Sequence, residues 1–124
     1  MNQIGEAAFQ AAALDHTKAA WGKGVRLAAG NDTGHFPHGE NVRQLELMHG
    51  TGVTLLDVLR AAILGGWEAC GGDWGGRRFG LLRAGWAADL LAIQNDTREN
   101  TGAFRKFSLI MKDWSAVEDF RIVE

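Results

Sequence analysis

Twelve residues, "GNDTGHFPHGEN" at positions 30 to 41, gather an acid (Asp32), two histidines (His35 and His38), three glycines and the chain's only proline, Pro37. A carboxylate in such a loop can bind a divalent cation or take a proton from a cation-activated water, and it can do both when it stands at the open side of the ion. Histidine is the commonest protein ligand of zinc, so His35 and His38 invite the same chemistry. The residue types also suit a plainer role, because Asx side chains hydrogen-bond the backbone of turns and helix starts, and loop histidines are commonly solvated. No compact ligand signature such as Cys-x-x-Cys or His-Glu-x-x-His accompanies them. On spacing alone both readings stay open.

The elements around the loop follow from hydrophobic periodicity. Residues 3 to 21 carry Ile4, Ala7, Ala8, Ala11, Ala12 and Leu14 at mostly helical spacing, and the alanine content favours helix. Val25 to Ala29 is a short, largely apolar run between Gly24 and Gly30 and reads as a strand. Asn41 to His49 places Val42, Leu45 and Met48 three apart, an amphipathic helix stopped by Gly50 and Gly52. Thr54 with Asp57 resembles a capping box for the next helix, whose expected buried stripe is Leu55, Leu59, Ala62 and Ile63. Ala87 to Ile93, an apolar run broken by Asp89, and Phe107 to Met111 are strand candidates. A strand ending in a polar loop that enters a helix is the unit of parallel α/β folds, whose functional residues sit at the carboxyl ends of strands. Asp32 occupies such a position.

Composition narrows the function classes. The 124 residues suit one modest globular unit, 46% hydrophobic and 23% charged. A net charge of −2 with scattered basic residues lacks the electrostatic footprint of a nucleic-acid binder, so no nucleic-acid partner is expected. Neither a secretory signal nor an apolar run near eighteen residues is visible, so no membrane partner is expected and the cytoplasm is the expected compartment. Cys70 is the single cysteine; it excludes an internal disulfide and reads as a small hydrophobe.

Glycine is the outlier, with 17 residues against a usual share of about 7%. Seven of them fall between Gly65 and Gly80, a stretch expected to be a connection. "GGDWGGRRFG" lacks the Lys-Ser/Thr ending of a phosphate-binding loop, and Arg77 with Arg78 reads as a solvated or ion-paired surface. The five tryptophans, spread along the chain, read as core or interface anchors. Asp89 inside its apolar run needs partners, and the structural role of accepting hydrogen bonds that pin a turn or strand is expected.

Three segments together, "GVRLAAGNDTGHFPHGENVRQLELM", "TLLDVLRAAILGGWEACG" and "GLLRAGWAADLLAI", with "LIMKDW" trailing, resemble the carboxyl-terminal end of the metal-dependent amidohydrolase superfamily, in its imidazolonepropionase-like and dipeptidase-like branch. The resemblance runs from Gly24 to Trp114 in the family's order. It implies an α/β fold class: the last βα unit of a (β/α)8 barrel within residues 1–80, then the return strands of a small β-domain within 81–124. It implies one or two metal ions, commonly zinc, at the barrel mouth, and it assigns the strand-eight aspartate to Asp32, in "GNDTG" where the family writes Gly-Thr-Asp. That aspartate touches metal and handles the proton of the attacking water. His35, and with it His38 and Asn41 of "PHGEN", become candidates for shaping the loop or facing substrate. "G-x-A-A-D-L-L" at Gly85 to Leu91 resembles the family's Gly-Lys-x-Ala-Asp-Leu signature.

Departures from the family pattern are Ala84 for proline, Trp86 for lysine, Gly65-Gly66 for Asn-Ala and Trp114 for glycine. They touch connections and leave Asp32 alone. A whole barrel takes about 250 residues, and a catalytic zinc takes about three protein ligands. The family's His-x-His pair, bridging lysine or glutamate and further histidines would lie upstream of Met1. The expectation is therefore a fragment of a hydrolase acting on C–N bonds of a small amide-type substrate, inactive alone, with self-association or a missing amino-terminal half as its partner. A non-catalytic binding module or structural remnant is the alternative.

Overall fold

The computed structural model describes residues 3–31 and 39–119, which form a mixed α/β chain of helices and one small antiparallel sheet. The chain divides into two compact units, residues 1–62 and 63–124.

In the first unit the alanine-rich segment forms helix α1, Gln3–Gly22. It ends in a full Schellman motif. Gly24 takes a left-handed φ of +74°, its N–H donates to Trp21 O at 2.9 Å, and Val25 N–H donates to Ala20 O at 3.0 Å. Helix α2, Val42–Gly50, buries Met48, and helix α3, Leu55–Ala62, buries Val58 and Ala61. These three side chains and Val53 form the core, with Trp21, Leu27, Ala29 and Leu45 packed against it. The buried stripe of α3 thus centres on Val58 and Ala61, whereas Leu55, Leu59 and Ala62 are only half-buried and Ile63 is exposed.

Thr54 does start α3 as a capping residue, with a variation that the short acid imposes. Its hydroxyl accepts Asp57 N–H at 3.2 Å and donates to Asp57 Oδ2 at 2.7 Å. Aspartate thus meets the capping hydroxyl instead of a backbone N–H, the usual partner of the acid in the capping box.

Residues 25–29 form no strand. A strand exists by its ladder, and here two of the N–H groups go to helices: Val25 N–H to α1, and Ala29 N–H to Ala61 O of α3 at 2.9 Å.

The second unit opens with helix α4, Leu64–Ala69, which contains Gly65 and Gly66 and buries Gly65. The glycine stretch is therefore partly an element, and it continues into a 3-10 turn, Gly72–Gly75. Strands β1 (Leu90–Ile93), β2 (Phe107–Lys112) and β3 (Ser115–Asp119) pair antiparallel in the order β1-β2-β3. Leu91 faces Ile110, and Met111 faces Ala116. Between β1 and β2 a 3-10 turn, Thr101–Arg105, buries Ala103 and Phe104 and is capped by Asn100, whose side chain accepts Gly102 N–H at 2.8 Å. Among the described residues no helix is long and apolar enough to cross a membrane.

Candidate functional site

Asp32, His35 and His38 lie outside the described residues. Asn41 lies inside them, exposed and immediately before α2. Its Oδ1 accepts a hydrogen bond from Asn31 Nδ2 at 3.1 Å. The residue that precedes Asp32 and the residue that starts the next helix are thus joined side chain to side chain. Two residues back, the backbone bond from Ala29 to Ala61 ties the same segment to α3.

The support behind this segment includes Asp57. Trp21 Nε1 donates to Asp57 Oδ2 at 3.0 Å, and Arg60 Nη1 approaches Asp57 Oδ1 at 3.4 Å. The Thr54 hydroxyl first, then the Trp21 indole, hold the Asp57 carboxyl below the usual aspartate value. Sequence reasoning found Thr54 and Asp57 through their spacing but missed Trp21 and Asn31, whose partners lie 36 and 10 residues away. No local pattern encodes such pairs.

In the second unit the charged groups converge on Asp89. Its carboxylate accepts two bonds from Arg77 Nη2, at 3.0 and 2.9 Å, one from Lys112 Nζ at 2.8 Å and one from Asp113 N–H at 3.1 Å. Arg77 also meets Asp113 Oδ1 at 2.6 Å. The Lys112 ammonium, with the Asp113 N–H and Arg77 behind it, lowers the Asp89 pKa. Hydrogen bonding to Asp113 raises that of Arg77. This is the expected pinning role: a quarter-exposed acid ties the approach to β1 to the β2–β3 turn. Arg78 pairs with Asp73 at 2.7 Å, so the arginine pair is an ion-paired surface.

Other candidates divide by exposure. Cys70 is exposed, contrary to the small-hydrophobe reading. Trp67 packs on Trp86, ring centroids 4.8 Å apart, and donates to Arg77 O at 3.2 Å; Trp74 and Trp114 are 98% and 79% exposed. A shallow concavity of about 420 Å³ lies among Asn95, Asp96, Glu99, Asn100 and Lys106. Its most perturbed acid, Asp96, is already engaged by Arg98 at 2.6 Å. Among the described residues no three His, Cys, Asp or Glu side chains gather into a group that could hold a metal.

No protein-family model matches the chain, and no curated protein matches it. Among solved structures it is similar to a Xaa-Pro dipeptidase, crystallised with methionine bound in the active site, at 24% identity and a TM-score of 0.77. The likeness covers 85% of this chain and 25% of the dipeptidase chain. The chain therefore has the fold of about a quarter of a dipeptidase, and spans about that share of its length.

Proposed function

We propose that this chain is the carboxyl-terminal portion of a metal-dependent amidohydrolase that cleaves C–N bonds in small amides, cyclic amides or peptides. The observation that carries the reading is the extent of the structural likeness: it takes in 85% of this chain yet only 25% of a hydrolase, as expected of one segment of a larger enzyme. It agrees with the order of the quoted motifs, which resemble the same end of that superfamily.

In this reading the barrel mouth lies at the end of segment 25–31, with Asp32 as its acid. A divalent metal, zinc by family resemblance, would when bound lower the pKa of water toward neutral pH. Asp32 would be one of the residues that hold it, and its carboxylate would take the proton from water and pass it to the leaving nitrogen. His35, His38 and Asn41 line the substrate side. The remaining ligands come from an amino-terminal segment, so the 124-residue chain alone is inactive. The exposed Leu56, Leu82 and Leu91 are surfaces the rest of the enzyme covers, and in isolation they favour self-association. The enzyme works in the cytoplasm.

The test begins with the reading frame upstream of Met1, which should continue and encode a His-x-His pair. The joined protein should hydrolyse a panel of dipeptides and N-acyl amino acids when zinc is supplied, and the 124-residue chain should not. Asp32→Asn in the joined protein should lower kcat by at least about 100-fold with folding retained. An upstream frame without such a pair, or an Asp32→Asn enzyme of full activity, overturns the reading.

A further inference from the structure

We draw no further inference here: the strongest candidate, the exposed surface patch that Trp74 makes at the glycine-rich 3-10 turn following α4, carries nothing because nothing in the structure shows what covers it.

Discussion

Trp21 and Asp57, 36 residues apart, are joined by a 3.0 Å hydrogen bond from the indole N–H to the carboxylate. The bond ties the end of α1 to the first turn of α3, and Ala29 and Ala61 are linked within the same unit. Asp57 also receives the Thr54 hydroxyl at 2.7 Å, and of the two the threonine depresses the carboxyl pKa more. Thr54→Ala should therefore raise the Asp57 pKa further than Trp21→Phe does, both moving it up toward the ordinary value. Carboxyl carbon shifts followed through an acid titration measure this. The reverse order, or no movement in either variant, contradicts the assignment.

The turn between β2 and β3 places two non-glycine residues in left-handed backbone, Asp113 at φ +47° and Trp114 at φ +66°. Two-residue hairpin turns of this hand favour Asn-Gly or Asp-Gly. The left-handed conformation costs a substituted residue about 1–2 kcal/mol, and glycine recovers most of that against its own unfolded-state entropy. Trp114 is 79% exposed, so little burial is lost. Trp114→Gly should stabilise the chain by about 0.5–1 kcal/mol, read as a higher urea midpoint with unchanged slope. A lower midpoint would mean that the indole makes a contact worth more than the strain.

Gly80 shows the opposite case. Its φ is +91°, and a Cβ there would stand 2.7 Å from Ile63 O and 2.9 Å from the carbonyl carbon behind it. Both atoms belong to backbone at the start of α4, so neither can swing aside. Gly80→Ala should cost about 3 kcal/mol, from conformational strain plus the clash. Thermal unfolding against Gly76→Ala, where φ is +74° but nothing lies within 4 Å, separates the two contributions: Gly80→Ala should be clearly the worse, and equal losses would leave the clash without effect.

The parts legible in the sequence are those with local causes. α1 follows from alanine, α2 from its three-residue spacing, the start of α3 from Thr54 and Asp57, and the role of Asp89 from the cost of an unpaired acid among apolar neighbours. The parts that were not legible depend on partners far along the chain. Residues 25–29 have a strand's composition, yet a strand needs a neighbour, and the N–H groups of Val25 and Ala29 go to helices. β3 is short, and every one of its described side chains, Ser115 to Val117, is exposed, so no alternation marks it. Gly65 and Gly66 read as a connection but enter α4, where Gly65 is buried. Asn41 was singled out and its partner Asn31 was not, because only the folded chain brings the two amides together.

Acid should unfold the chain through three aspartates, and the direction follows from their shifts. Asp96 is held down to about 2 by the Arg98 guanidinium and N–H. Asp89 is lowered by Lys112 first, and Asp57 by Thr54 first. Each carboxyl has a folded pKa below its unfolded value near 3.9. Each therefore binds fewer protons folded than unfolded in the acid range, and its contribution is complete above about pH 5 and disappears as pH falls through the folded pKa. The urea midpoint should accordingly be flat between about pH 7 and 5 and fall between about pH 4 and 2. Of the three, Asp89 is the one held by two cations, Arg77 and Lys112. Asp89→Asn should therefore lower the midpoint at neutral pH and make the acid slope shallower, since one proton-linked group has been removed. A variant with the wild-type slope would show that Asp89 titrates alike in the folded and unfolded chain, and that its cations neutralise charge without favouring the fold.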